Sequence, residues 1–261
     1  MERYKERFAE FSAESEALFI AEGLFLKDGR PTPFFYNSGR FNSASMVSTL
    51  GSFYADMLVG NGLSDKIDII FGPSYKGSQI AEATAISLWQ THGVDTRIEY
   101  DRKEVKTHGE SSGAESLLVN KTLFDGAKIY VVDDVWTSGA TKYESIKKIL
   151  SEAENQGINV TVVGMGIGVD RQQVGPVYDE SKPKHLSNKE RIILGARGED
   201  SIASFTRDKK IPVNAVLGVR EAIQYLHSSK ISVLINGRMQ PIDEKVFENF
   251  QEYMQTYGVR E

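Results

Sequence analysis

The chain contains no cysteine, which excludes disulfide staples, thiolate metal sites and a cysteine nucleophile. Apolar runs are short, and none approaches the ~20 residues of a membrane-spanning helix. The opening Met1-Glu2-Arg3-Tyr4-Lys5-Glu6-Arg7 is charged and has no apolar core of signal-peptide length behind it, so a cytoplasmic chain with no membrane partner is expected. An excess of positive charge is lacking too. With 31 Lys and Arg against 36 Asp and Glu, the formal charge is -5, so there is no general attraction for nucleic acid or anionic lipid. Local basic clusters can still hold a small phosphate ligand. What is present, 40% apolar and 26% charged residues in 261, is the composition of an ordinary globular protein with a sizeable core, expected as a single domain over 1–261.

Along the chain, apolar spacing predicts a helix over 2–22 with Tyr4, Phe8, Phe11, Leu18 and Phe19 on one face. The run Lys27-Asp28-Gly29-Arg30-Pro31-Thr32-Pro33 then imposes a turn and an extended exit. Asn42 or Ser43 caps a second helix through Met46, Val47, Leu50, Phe53, Tyr54, Met57 and Leu58. Beyond it, strands at 67–71, 96–100, 128–132, 160–164 and 213–217 alternate with helices at 77–90, 142–154 and 219–227. This is the rhythm of βαβ units and of a mostly parallel central sheet flanked by helices. Residues 101–116 are too polar for a core and read as a loop, and 174–208 reads as an insertion or flap. A last amphipathic helix is expected over 243–257, with Val246, Phe247, Phe250, Tyr253 and Met254 inward.

The sharpest feature is Ile129-Tyr130-Val131-Val132-Asp133-Asp134-Val135-Trp136-Thr137-Ser138-Gly139-Ala140-Thr141. An apolar strand runs into two carboxylates, then a small-residue loop, then a helix. Backbone N–H groups, the hydroxyls of Thr137, Ser138 and Thr141 and the helix dipole together suit a phosphate dianion. Gly139 lets the backbone come close. The acids would repel phosphate and fit sugar hydroxyls or the outer sphere of magnesium. A turn that merely caps the next helix is the plainer alternative, weakened because adjacent acids at a strand end are costly to bury without partners.

This segment resembles the PRPP (5-phosphoribosyl-1-diphosphate) motif of the type I phosphoribosyltransferases. The resemblance implies their α/β fold, with a small N-terminal hood at 1–40. It also implies that Asp133 and Asp134 line the ribose while Val135, Trp136, Thr137, Ser138, Gly139, Ala140 and Thr141 form the 5'-phosphate loop.

Further segments are similar to the orotate-specific branch of that family. Lys27-Asp28-Gly29-Arg30-Pro31-Thr32-Pro33-Phe34-Phe35-Tyr36 matches its N-terminal segment, which implies Lys27 on PRPP and Phe34 and Phe35 walling the base, with Thr137 also at orotate. From the residues alone, such an aromatic run serves core packing at least as readily. Phe71-Gly72-Pro73-Ser74-Tyr75-Lys76-Gly77 closes a parallel strand at its carboxyl end, where open α/β sheets bind ligands. By resemblance Tyr75 and Lys76 contact PRPP, although Lys76 taken alone is equally a solvated loop lysine.

Asp101-Arg102-Lys103-Glu104-Val105-Lys106-Thr107-His108-Gly109-Glu110 is either a solvated charge run or a loop that focuses positive potential. Its likeness to the branch's catalytic loop implies that Arg102, Lys103, Lys106 and His108 bind the diphosphate of PRPP, with Lys106, His108 and Arg102 catalytic and the loop shared across a homodimer. Ser111-Ser112 departs from the usual Gly-Gly there. Arg171, after a predicted strand, is either an ordinary salt bridge or a bidentate carboxylate grip, and the resemblance assigns it to orotate.

The implied function is orotate phosphoribosyl transfer in de novo pyrimidine (UMP) biosynthesis, with PRPP and orotate as the partners. Magnesium is expected on PRPP, with no metal site made by protein alone. A purine or uracil phosphoribosyltransferase would keep 133–141 but not the other segments. A PRPP-sensing regulator would ordinarily add a basic nucleic-acid-binding helix, and none is read here.

Overall fold

The computed structural model describes residues 1–102, 117–136 and 139–260. In chain order its elements begin α1 (Arg3–Glu14), β1 (Leu18–Phe25), β2 (Pro31–Tyr36), α2 (Ala44–Gly60), β3 (Ile69–Gly72), α3 (Lys76–His92), β4 (Arg97–Tyr100) and β5 (Ala127–Val135). They continue α4 (Ala140–Asn155), β6 (Val160–Asp170), α5 (Asn188–Arg191), α6 (Ser201–Lys209), β7 (Val213–Gly218), α7 (Val219–Ser228), β8 (Ser232–Ile235), β9 (Arg238–Pro241) and α8 (Glu244–Tyr257). The chain falls into two compact units, one of 1–41, 169–204 and 217–261, the other of 42–168 and 205–216.

In the first unit the strands form a sheet of order β2-β1-β8-β9. The helix expected over 2–22 stops at Glu14. The Ser15 hydroxyl donates to the Phe11 carbonyl at 2.6 Å, and Glu16 takes a left-handed φ of 56°. From Leu18 the apolar period changes from helical to alternating. Leu18 and Ile20 are buried on one face of β1, while Phe19 turns to the other and meets Phe35 across the ladder at 5.8 Å. The helix α7 buries Val219, Ala222, Ile223 and Leu226 at helical spacing, and α8 buries Phe247, Phe250, Met254 and Tyr257. Each such Val, Leu, Ile, Phe or Met side chain withdrawn from water contributes roughly 1.5–3 kcal/mol.

The second unit is built on a sheet of order β4-β3-β5-β6-β7, in which β3 pairs parallel with both β4 and β5. The Ser43 hydroxyl caps α2 by accepting from the Met46 N–H at 3.3 Å. Gly51 lets α2 lie directly on α3, since a Cβ there would strike the Ala83 backbone. Tyr130 on β5 is fully buried, and its hydroxyl bonds Asn214 at 3.0 Å. Its ring lies where Cβ atoms on Gly164 and Gly166 of β6 would come within 2.6 and 2.9 Å. The glycines that read as the end of a strand at 164 are therefore inside one, with β6 running to Asp170. Phe205 of α6 fills the space against Trp136 and Tyr143, both rings at 5.0 Å.

Candidate functional site

In the second unit, two loops leave the carboxyl ends of adjacent parallel strands. The first follows β3. A Cβ on Gly72 would run into the Gly77 carbonyl, and one on Gly77 would lie 2.6 Å from the Pro73 ring, so only glycines permit this turn. The Ser74–Tyr75 peptide is cis. The Ser74 N–H donates to Asp101 Oδ1 at 2.7 Å and its hydroxyl donates to the Asp101 carbonyl. Lys148 of α4 closes the other Asp101 oxygen at 2.6 Å. A cleft of about 670 Å3 lies over this loop, lined by Ser74, Tyr75, Ser78, Gln79, Tyr100, Asp101 and Arg102.

The second loop follows β5. Asp133 is buried, and its carboxylate accepts from the Lys142 ammonium and, at 2.9 Å, from the Asp134 N–H. The Tyr54 hydroxyl donates to its carbonyl at 2.7 Å. Burial raises the Asp133 pKa above the ordinary carboxylate range, the Lys142 charge opposes that shift, and the Asp134 charge adds to it. Asp134 is more open. Its carboxylate accepts from the Val135 N–H at 2.8 Å and stands 3.5 Å from Lys76 Nζ, so the two loops meet through an ion pair. Gly139, at φ 78°, caps α4 and packs on Trp136, with its carbonyl accepting from the N–H of Lys142 at 2.8 Å. Ala140 and Thr141 are exposed on the first turn of α4. Val135 is half-buried, and Trp136 has its ring in the core.

The basic loop is described only at its ends. Its two arms pair between Asp101 and Leu118, and the Arg102 N–H donates to the Leu117 carbonyl at 2.7 Å. Buried Glu99 anchors the returning arm, accepting from the N–H groups of Val119, Asn120 and Thr122 at 2.8–3.1 Å. Arg102 Nε is buried with no hydrogen-bond partner among the described residues. Lys103, Lys106 and His108 lie outside the described residues, as do Thr137 and Ser138.

In the first unit, Lys27 is exposed on the turn between β1 and β2. Phe34 is fully buried, edge-on to Phe250 and Tyr253, whereas Phe35 is half-buried on the opposite face of β2. The guanidinium of Arg171 lies 5.2 Å from the Phe35 ring centre and 5.8 Å from that of Phe34. Its Nε and Nη2 are buried with no hydrogen-bond partner among the described residues. Burial pulls its pKa down, an effect that Tyr253 and Asp28 partly oppose. A buried cation with free donors is costly, and an incoming carboxylate relieves that cost. Phe35 and Arg171 thus form a flat apolar face beside a planar set of donors.

Four partners were not anticipated from the sequence: Lys142, Lys148, Tyr253 as a neighbour of Arg171, and the side chains of 174–208 that reach the 27–30 turn. The two lysines sit on an amphipathic helix, where sequence assigns lysine to solvent. Only the depth of the acids they meet draws them inward.

Paired strand-end loops over a parallel sheet, one carrying adjacent acids and a capped helix, define a phosphoribosyltransferase, and residues 51–172 match the phosphoribosyl transferase domain family. An orotate phosphoribosyltransferase from Clostridium acetobutylicum is 31% identical over 261 residues, covering 100% of each chain. One from Bifidobacterium longum is 40% identical over 257 residues, 97% of this chain and 96% of that one. The crystal structure of orotate phosphoribosyltransferase from Francisella tularensis matches with a TM-score of 0.70 at 27% identity, over 97% of this chain and 99% of that chain. The chain belongs to the orotate phosphoribosyltransferase family and has the type I phosphoribosyltransferase fold expected of it.

Proposed function

We infer that this chain transfers the phosphoribosyl group of PRPP to N1 of orotate, releasing diphosphate and forming orotidine 5'-monophosphate, as a cytoplasmic enzyme of de novo UMP synthesis. Orotate N1 attacks the anomeric carbon as the bond to diphosphate breaks. As the N1–C bond forms, N1 gives up its proton to a base or to solvent, and the electron pair of the broken C–O bond leaves on diphosphate, so neither a serine nor a cysteine nucleophile is needed. Catalysis is then chiefly positioning and stabilisation of charge on the leaving group.

The observation that carries the choice of base is Arg171, a buried guanidinium beside the Phe35 ring with two donors that no described residue pairs. A planar base bearing a carboxylate satisfies both, whereas uracil, adenine, guanine and hypoxanthine offer no carboxylate. Lys27, Tyr75, Lys76, Asp133, Asp134 and residues 135–141 are the PRPP ligands in this reading. Arg102, Lys103, Lys106 and His108 act on the diphosphate across a homodimer, with Lys106 the chief stabiliser of the leaving group.

Among the described residues no group of three or more His, Cys, Asp or Glu is placed to hold a metal ion. The Asp133 and Asp134 oxygens already serve Lys142, Lys76 and backbone N–H groups, so these acids fit outer partners of a magnesium ion carried on PRPP. When bound, that ion takes up charge on the diphosphate. Among the described residues no helix is long and apolar enough to cross a membrane.

The test is to mix protein, magnesium and PRPP and follow loss of orotate by ultraviolet absorbance, with uracil, adenine, guanine and hypoxanthine as parallel acceptors. PRPP-dependent loss of orotate alone is expected. Turnover of another base rejects the Arg171 reading, and PRPP binding with no turnover of any base rejects the enzyme in favour of a sensor.

A further inference from the structure

Residues 174–200 form a cross-braced excursion in the first unit. Tyr178 bridges to Ile192, the Asp179 N–H donates to the Arg191 carbonyl at 2.8 Å, and the Ile193 N–H to Val177 at 2.9 Å. The Glu190 carboxylate accepts from the Ser187 N–H and hydroxyl at 2.9 and 2.6 Å. Yet most of the excursion between 180 and 190 is exposed, so it is not there to fill a core.

What it touches is the turn between β1 and β2. Asn188 Nδ2 donates to the Lys27 carbonyl at 3.2 Å, and the Tyr178 hydroxyl donates to the Asp28 carbonyl at 3.2 Å. Gly29, at φ 90°, lies so close to the Lys189 backbone that a Cβ would come within 2.6 Å of its Cα. Arg30 is held by Asp28 at 2.7 Å and donates to the Val174 carbonyl, the first residue of the excursion, at 2.5 Å. Four successive residues of a short turn are thus each fastened, two of them through carbonyls a free turn would leave to water. The one side chain in this turn left exposed is Lys27.

We propose that the 174–200 excursion is a positioning clamp for Lys27, with Tyr178 and Asn188 fixing the turn from which that ammonium reaches the phosphate groups of PRPP. The inference rests on the reading of Lys27 as a PRPP ligand. A lysine is a point charge on a long flexible stem, so its value to a phosphate depends on how firmly its backbone is held.

The test compares wild type, Lys27→Ala, the double variant Tyr178→Phe with Asn188→Ala, and the triple variant. Amide hydrogen exchange over 26–30 is measured alongside kcat and the KM values for PRPP and orotate. Loss of two neutral hydrogen bonds predicts a rise in KM for PRPP of roughly three- to tenfold in the double variant, with KM for orotate unchanged and faster exchange confined to the turn. In the triple variant the clamp substitutions add nothing to Lys27→Ala, because the charge they position is gone. Unchanged exchange overturns the clamp. So does faster exchange with no change in KM for PRPP while Lys27→Ala raises it, or a clamp effect that multiplies fully with Lys27→Ala. If Lys27→Ala itself leaves KM for PRPP unchanged, the ligand reading fails and the positioning role falls with it, which the exchange data separate from failure of the clamp contacts.

Discussion

Replacing Lys142 with methionine tests whether the buried acid of the β5 loop depends on one lysine for its charge. Methionine fills much the same volume and leaves Asp133 without its ammonium partner, while the Asp134 charge and the burial remain. Removing one member of a buried pair typically costs about 3–5 kcal/mol. Protonation of Asp133 limits the loss to about 1.4 kcal/mol for each pH unit by which the solution lies above the carboxyl's unfolded-state pKa. At pH ~7 this predicts a fall in Tm on the order of 10 °C for a chain of this size.

The pH dependence follows from the direction of the Asp133 shift. Burial already raises its pKa in the folded chain, and without Lys142 nothing named at the carboxyl except the Asp134 N–H lowers it. Between the unfolded carboxylate value and that raised value, the folded state holds a proton the unfolded state has released. Stability therefore falls as pH rises through this window, and the variant's deficit is smaller near pH ~5 than near pH ~7. Adding Asp133→Asn to the variant removes the uncompensated charge and recovers part of the loss. Thermal denaturation of wild type, single and double variants at both pH values decides the matter. A deficit below ~1 kcal/mol at pH ~7 refutes the dependence, as does one that is equal at both pH values and untouched by Asp133→Asn.

Arg171→Ala is expected to raise KM for orotate by at least roughly tenfold, the lower end of what a charge-assisted pair contributes, while KM for PRPP changes little in the same initial-rate assay. Lys106→Ala should lower kcat far more than it weakens PRPP binding, since a contact made mainly in the transition state acts on rate first; single-turnover kinetics with a separate PRPP titration distinguishes the two. Gly29→Ala places a Cβ against the Lys189 backbone at a left-handed φ, for which backbone strain alone costs roughly 1–3 kcal/mol. Thermal denaturation should show at least that loss.

Much of the fold was legible because its periodicities are unmixed. The apolar spacing of α2, α3, α4, α7 and α8, and the short apolar runs of β3 and β5, each lie close to where the sequence puts them. The failures have local causes. Between α1 and β1 the period changes across the short polar run Glu14-Ser15-Glu16, which a helix tolerates as well as a turn does, and the hydroxyl of Ser15 and the left-handed Glu16 mark the break. In β6 the glycines at 164, 166 and 168 argue for a strand end, yet two of them exist to admit the Tyr130 ring from the neighbouring strand, a cause no single-strand pattern contains. The β8–β9 hairpin has a signal of its own in the sequence. Asn236-Gly237, both at positive φ, is the two-residue turn that antiparallel pairs favour. The sites divide in the same way. Asp133 and Asp134 stand out by residue type and spacing and Arg171 only through the family resemblance, whereas Lys142 and Lys148 acquire their meaning only from acids brought to them by folding.

The two kinds of charge in this molecule do different work. In the second unit the acids are met: Asp133 by Lys142, Asp101 by Lys148, Asp134 by Lys76 at a looser 3.5 Å. Pairs of this kind add little net stability once desolvation is counted, but they fix geometry, since each acid has one low-energy position. In the proposed reading, that suits a loop whose backbone presents N–H groups to a phosphate without rearranging. In the first unit Arg171 keeps two buried donors unmatched among the described residues and carries a pKa already pulled down by its surroundings. A protein that needed this arginine only for packing would do better with methionine or leucine over the Phe35 ring. In the proposed reading an anion completes this buried guanidinium, and the free energy withheld from folding there would be available to select a carboxylate-bearing base.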